Sequence, residues 1–547
     1  MIDIIYLLTI VFVTSTLVLF VFKRFSHPTT PAYIIAGILS GIFIAEEGFL
    51  DILQWGIAFV VFMFGIKLEP GRLKHVVSGS LFSTIIQIVV VGSMAFGLST
   101  LIGLDLMSSV YVTIAATLSS SLIGTGLVKK STTIDLLHGR LAESIDLMED
   151  TIGIFLIILL SSIFFETNIV TILSISFVML LISLTFRKFI FPIVFKLSDG
   201  SEELMMATGL SLLVFMMYLS ETMGISIVVG AFLAGISFSH FPYNIELEET
   251  MRSLSYFFTS LLFFSLGAIL EFPNLDSLLI ALIIITMTVL LKPIITAIAL
   301  MGYGYNERPS YISGFNLDQV SEIAIVISIQ AFLVGKIQGD VFNGIILASI
   351  VTMITTYYTD YYSEEISNFL SNRLPLKSMG DFEFIKSNIP DDIENHIIIA
   401  GYDVLGQMIA DFLEEKDKDF VVIEHDPEKL NLDREPENYI FADAMDELTW
   451  EKLNYKDADM IISTIPFFKV SLKISSLETD ATKIVRLKKS GMAPDLMEIG
   501  ADYVMTPNQM ASDQLIDLIR SIMESDEDKS DEIRKQFFER ILEDEDF

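Results

Sequence analysis

Gly139-Arg-Leu-Ala-Glu143-Ser-Ile-Asp146-Leu-Met-Glu149-Asp150-Thr-Ile-Gly-Ile154 places four carboxylates in a stretch that runs directly into the apolar segment Ile152–Leu160. Glu143, Asp146 and Asp150 are 3 and 4 residues apart, so a helix carries them on one face. Charge at membrane depth is costly and marks function. A column of carboxylates suits a hydrated funnel that attracts cations, with Asp150 at its deep end. The plainer alternative is a helix end in water, where acids are ordinary.

The surrounding sequence sets the depth. Thirteen apolar runs, from Ile4–Phe22 to Phe342–Tyr358, predict a polytopic α-helical membrane protein of about 13 spans. The first run is long enough to span and has no basic segment before it, so it reads as a span and not as a cleaved leader. With the N-terminus outside, 13 Lys and Arg from Lys23 to Arg308 fall in inside loops, and Lys336 alone falls outside. That asymmetry follows the positive-inside rule and puts the C-terminal body in the cytoplasm.

Composition agrees. The 547 residues are 52% hydrophobic and 19% charged, against about 25% charged in soluble proteins. Residues 1–355 hold 15 basic and 25 acidic side chains, and residues 356–547 hold 20 and 44, so the two parts differ in character. Cysteine is absent, which excludes disulfides and thiolate chemistry. A net charge of −34 argues against nucleic acid. The expected organisation is a transmembrane body over 1–360, a charged and irregular linker over 361–394, an α/β domain over 395–520 and an acidic tail over 521–547.

Three further features lie in the transmembrane body. Lys292, in Thr288-Val-Leu-Leu-Lys292-Pro293, sits inside an apolar run and needs a carboxylate partner, Glu149 or Asp150. Snorkelling is its alternative. Pro293 kinks that helix and frees carbonyls. Two segments look interrupted, at Thr117-Leu-Ser119-Ser120-Ser121 and at Asn316-Leu-Asp318-Gln319-Val-Ser321-Glu322. Paired broken helices in two inverted repeats point to a transporter site; Ser and Thr in a helix interface are the alternative.

The stretches Phe62-Met-Phe-Gly-Ile-Lys-Leu-Glu-Pro70, Thr117-Leu-Ser-Ser120, Gly139-Arg140, Glu149-Asp150, Gly230-Ala-Phe-Leu-Ala-Gly235, Leu262-Phe-Phe-Ser-Leu-Gly267 and Gln319-Val-Ser-Glu322 occur in one order over residues 1–360. In these the chain resembles Kef-type members of the monovalent cation:proton antiporter-2 family. The resemblance implies a membrane antiporter and not an enzyme, with no catalytic cofactor. It implies alternating access, with Asp150 binding a proton or a cation in turn. Glu149 departs from the residue usual before that aspartate, and Lys292 matches a basic position that some members pair with the acidic motif. A homodimer in a prokaryotic cell membrane is also implied. The exchanged ion is K+ by association with the cytoplasmic domain, with Na+ as the alternative.

From Asn395 the pattern alternates strand and helix. His396-Ile-Ile-Ile-Ala400 reads as a strand, Gly401-Tyr-Asp-Val-Leu-Gly406 as a glycine turn, and Phe420-Val-Val-Ile-Glu424 as a second strand ending in an acid. This is the order of a dinucleotide-binding βαβ unit, except that Asp403 replaces the middle glycine and would repel a pyrophosphate. Together with Tyr439-Ile-Phe-Ala-Asp443 and Gly500-Ala-Asp-Tyr-Val-Met-Thr-Pro507, the stretch resembles the RCK (TrkA-N) regulatory domain. That resemblance implies a cytoplasmic Rossmann-like domain whose bound nucleotide gates the transporter. Gly401 and Gly406 would face phosphate, Glu424 the ribose and Asp443 the adenosine. AMP or a similar mononucleotide is favoured over NAD; an empty, structural domain is the alternative. The remaining chain is too short for a C-terminal RCK lobe. An RCK-gated K+ channel is a remote rival: Gly302-Tyr303-Gly304 mimics part of a filter, but no pore helix precedes it.

Overall fold

The computed structural model describes residues 4–25, 27–41, 47–68, 78–119, 137–164, 168–198, 201–239, 243–373, 388, 393–424, 436–445, 447–488 and 490–523. The chain divides into two compact units, Met1–Gly380 and Asp381–Phe547.

The apolar runs of the first unit fold as helices because a backbone in hydrocarbon must bond within its own segment. In order they are α1 (Ile4–Arg24), α2 (Thr29–Gly41), α3 (Glu47–Lys67), α4 (Ser78–Leu101), α5 (Leu106–Thr117), α6 (Leu137–Phe164), α7 (Ile169–Thr185), α8 (Phe191–Ser198), α9 (Glu202–Thr222), α10 (Ile227–Ile236), α11 (Tyr243–Ala268), α12 (Leu275–Ile285), α13 (Lys292–Tyr303), α14 (Glu307–Phe315), α15 (Glu322–Leu333), α16 (Gly339–Tyr361) and α17 (Ser363–Arg373). Among the described residues, Gly79–Leu101, Ile169–Val194, Glu202–Thr222, Leu275–Tyr303 and Gly339–Tyr361 are each long and apolar enough to cross a membrane. Phe20, Val89, Phe177 and Leu290 are exposed, as a lipid-facing surface requires.

Small residues let these helices touch backbone to backbone, the packing that works where lipid is as apolar as the side chains. A methyl group on Gly267 of α11 would collide with the Ile34 carbonyl of α2, and one on Gly235 of α10 with the Phe62 carbonyl of α3. The glycines in Phe62–Gly65, Gly230–Gly235 and Leu262–Gly267 are thus explained by packing alone.

The Pro293 kink takes a specific form. A π-helical turn, Thr286–Leu291, joins α12 to α13, and Lys292 donates its backbone N–H to the Met287 carbonyl. The wider turn absorbs the carbonyl that the proline ring would strike in a regular helix. Gly314 of α14 packs against the Pro293 carbonyl, where a Cβ would not fit.

One expectation is corrected. The stretch after Tyr361, read as an irregular linker, begins with helix α17. Ile366 and Leu370 lie one turn apart on it, and Leu370 packs against Ala297, Met301 and Tyr311. Glu364 and Glu365 open the helix and Arg373 closes it, matching its dipole. Glu364 also lies 3.7 Å from Arg308. High charge hid a short amphipathic helix.

The second unit is a six-stranded sheet of β1 (Ile397–Ala400), β2 (Phe420–Glu424), β3 (Tyr439–Phe441), β4 (Met460–Ser463), β5 (Thr482–Arg486) and β6 (Tyr503–Met505). Its order is β3-β2-β1-β4-β5-β6, with every pair parallel. Helices α18 (Val404–Glu415), α19 (Glu447–Lys452), α20 (Phe468–Ser475), α21 (Ala493–Ile499) and α22 (Pro507–Met523) follow strands in turn. This is the doubly wound, Rossmann-like arrangement expected, with its switch point between β1 and β4.

Candidate functional site

Helix α5 stops at Thr117, and Leu118 is extended at φ −87° and ψ 132°. Carbonyls at such an end need partners, and at membrane depth water does not supply them. Helix α13 and its π turn do. The Lys292 ammonium donates to the Thr117 carbonyl at 2.7 Å and to Ser119 Oγ at 3.0 Å. The Thr288 hydroxyl reaches the Ala116 carbonyl at 3.4 Å.

The third donor of Lys292 goes to Glu149 Oε2 at 3.0 Å, with both side chains wholly buried. Glu149 also accepts from Ser119 Oγ at 2.6 Å, from the Ser119 backbone N–H and from Gln87 Nε2. Gln87 in turn accepts from the Thr296 hydroxyl at 3.0 Å. A buried ion pair survives when its remaining hydrogen-bonding capacity is filled; here four donors fill the carboxylate and three acceptors fill the ammonium. Of the two partners open to Lys292, the geometry pairs it with Glu149.

The second break lies between α14 and α15. Ser321 caps α15, accepting from the Ile323 N–H at 3.0 Å. It gives its own backbone N–H to the Leu118 carbonyl at 2.9 Å, which ties this segment to the end of α5. Gln319 and Glu322 are buried there, and Glu322 Oε2 has no hydrogen-bond partner among the described residues. Ile323 meets Gly153 of α6, so α15 starts against the carboxylate-bearing helix. Ser120 lies outside the described residues.

Along α6, Glu143 is exposed, Asp146 is buried and Asp150 is half-buried. Asp146 Oδ1 has no hydrogen-bond partner among the described residues, and the side chain lies in the fields of Asp150, Glu149, Lys292 and Glu143. Burial therefore does not deepen steadily along the stripe.

Sequence reading missed Gln87, Thr288 and Thr296. Thr288, Lys292 and Thr296 are four apart, a polar stripe visible in the sequence. Gln87 is the one amide in the run Ser80–Ile102, and only the tertiary fold shows whom it meets.

In the second unit, Gly401, Gly406, Glu424 and Asp443 come to the C-terminal ends of β1, β2 and β3, as the βαβ pattern requires. Gly401 has φ +100°, and a Cβ on Gly406 would strike the Gly401 carbonyl, so both glycines are demanded by the turn itself. Glu424 is 2% exposed and accepts from the Tyr402 N–H at 2.8 Å. Asp443 accepts from the Met445 N–H at 2.9 Å. Asp403 caps α18 through the Gly406 N–H at 3.1 Å, and its other oxygen lies 3.2 Å from Arg486 Nη1. Its charge is thus partly balanced, and its carboxylate occupies the helix N-terminus where a phosphate would sit.

The sodium/hydrogen exchanger transmembrane family matches residues 9–359, and the TrkA-N domain family matches residues 397–507. The chain is 24% identical over 358 residues to K(+) efflux antiporter 6 of Arabidopsis thaliana, covering 61% of this chain and 59% of that protein. It spans about three fifths of the length of that relative. It is 23% identical over 524 residues to a putative K(+) efflux antiporter KefB of Alkalimonas amylolytica, covering 88% of this chain and 76% of the other. The sodium proton antiporter MjNhaP1 of Methanocaldococcus jannaschii superposes with a TM-score of 0.51 at 14% identity, over 66% of this chain and 97% of that one. The last likeness shows a common fold. With the family match running through almost the whole helical unit, the chain belongs to the sodium/hydrogen exchanger family of transmembrane proteins and carries a TrkA-N domain behind it.

Proposed function

We propose that the chain is a monovalent cation:proton antiporter that exchanges K+ for H+, with Asp150 as the carboxylate that holds one or the other. The observation that carries this reading is the saturated Glu149–Lys292 pair at the first helix break. It engages Glu149 and Lys292 with each other directly beside Asp150, which lies half-buried on the same helix and is taken as the exchanging carboxylate. Alternating access then presents Asp150 to each side in turn, proton bound one way and cation the other. Asp146 and Glu143, lower on the stripe, draw cations toward it.

K+ is favoured because relatives over most of the chain are named K(+) efflux antiporters. Na+/H+ exchange is the second reading, favoured by the name of the matched family. In the second unit the reading is regulatory. A mononucleotide such as AMP enters over Gly401 and Gly406, its ribose at Glu424 and its adenosine near Asp443, and gates exchange from the cytoplasm. The working assembly is a homodimer in the cell membrane.

Proton flux in everted vesicles on adding K+ or Na+ tests the proposal, with Asp150→Asn as control. Flux with K+ that the control lacks, at equal insertion, is expected. Equal flux from the control overturns the role of Asp150, and flux with Na+ alone overturns the ion.

A further inference from the structure

Asp318 is a carboxylate that the exchange reading leaves unused. It lies in the second helix break and is 0% exposed. Its partners come from one face of α16, where Ser349, Thr352, Thr356 and Thr359 form a stripe of hydroxyls along the helix. Thr356 Oγ1 donates to Asp318 Oδ1 at 2.7 Å and Thr359 Oγ1 to Oδ2 at 2.6 Å. One turn earlier, Thr352 Oγ1 accepts the Val320 N–H at 3.2 Å, so the same stripe also holds the backbone of the break.

Both partners of the carboxylate are neutral. A buried carboxylate with neutral donors carries its charge at a cost that a proton removes. The hydroxyls accommodate either state. Thr356 Oγ1 lies 2.8 Å from the Thr352 carbonyl, and Thr359 Oγ1 lies 3.1 Å from the Thr356 carbonyl. Each hydroxyl hydrogen therefore has the carboxylate and at least one helix carbonyl within reach. With Asp318 ionised, both point at it. With Asp318 protonated, the acid donates to one hydroxyl oxygen, whose hydrogen turns to the carbonyl behind it. No heavy atom moves. Glu149 offers a contrast: it accepts from four donors, and one of them is an ammonium.

We propose that Asp318, with Thr356 and Thr359, is a second proton-binding site, separate from Asp150 and from the Glu149–Lys292 pair. The charged groups whose fields bear on this position are Asp360, the residue after Thr359 on α16, and Lys292 on α13. Glu322, four residues further along the chain, heads α15. The stripe ends at Thr359, two residues from the end of α16 at Tyr361, so the site lies near one end of a helix long and apolar enough to cross a membrane. Asp318 and Ser321 share one short segment between α14 and α15, and Ser321 is bonded to Leu118, so the site lies beside the contact that joins this segment to the end of α5.

The test is pH-difference infrared spectroscopy of the full chain in detergent, reading the C=O stretch of protonated carboxylic acids. The parent is expected to show a titrating band that Asp318→Asn loses. Thr356→Val removes a donor to the ionised form and moves that band to higher pH, by about one unit for one lost charge-assisted bond. An Asp318→Asn spectrum that superimposes on the parent overturns the site. Should Asp318→Asn fail to fold, Thr356→Val decides: a band that titrates as in the parent overturns the proposal. Neither reading depends on transport, so failure of the exchange reading is scored separately.

Discussion

Ser321 donates its backbone N–H to the Leu118 carbonyl at 2.9 Å, so the end of α5 and the segment between α14 and α15 are joined by a main-chain hydrogen bond. Each break solves the other's problem: an orphan carbonyl at one end meets an orphan amide at the other. No side chain is involved, and the sequence of either segment alone does not show it.

The Glu149–Lys292 pair makes a stability prediction. Lys292→Ala leaves a buried carboxylate without its cation and the Thr117 carbonyl without its donor. Thermal unfolding in detergent should register a loss of about 3–5 kcal/mol. The double variant Glu149→Gln/Lys292→Met should recover much of it. A double variant as unstable as the single one would contradict the pairing.

Gly267 and Gly235 predict an assembly defect. Gly267→Leu forces α2 from α11 by striking the Ile34 carbonyl, and the folded yield after membrane extraction should drop severely. Leucine at Gly97, which faces open space, should be tolerated. Equal yields would show that the close contact is dispensable.

The Asp403–Arg486 contact predicts ligand choice. Asp403→Gly restores the missing glycine and frees both the helix N-terminus and Arg486 for phosphate. Isothermal titration of the full chain should show NAD gaining at least about tenfold relative to AMP, as expected when a competing carboxylate leaves an anion site. An unchanged ratio would mean that Asp403 does not set the choice.

His396 predicts an acid limit for the second unit. It is buried where β1 begins, and burial pulls its pKa below the ordinary value of 6.5. The unfolded chain therefore binds a proton that the fold excludes. Stability is full above pH 6.5 and declines as pH falls below it, by up to about 1.4 kcal/mol per unit, until the folded form also protonates. Unfolding between about pH 7.5 and about pH 5.5, with and without His396→Leu, measures it. A parent and variant with parallel pH curves would refute the assignment.

Much of this was legible in the residues. Hydropathy marked the helices, the depth of Lys292 called for an acid, and alternation with glycines marked the parallel sheet. The limits were equally physical. Gln87 in an apolar run looks like any interface amide until Glu149 is seen beside it. Asp318 and Thr356 are 38 residues apart, and no local period connects them. Helix α17 was concealed because its four-residue apolar spacing is short and surrounded by charge.

The locked pair at Lys292 has an electrical consequence on the proposed reading. Glu149 and Lys292 cancel, and they stay cancelled if neither gives up its partner during the cycle. Asp150 then trades one proton for one monovalent cation. The moving part of the protein carries the same charge in both directions. Such an exchanger moves no net charge per cycle: its resting point is set by two concentration ratios, and the membrane potential drops out of it.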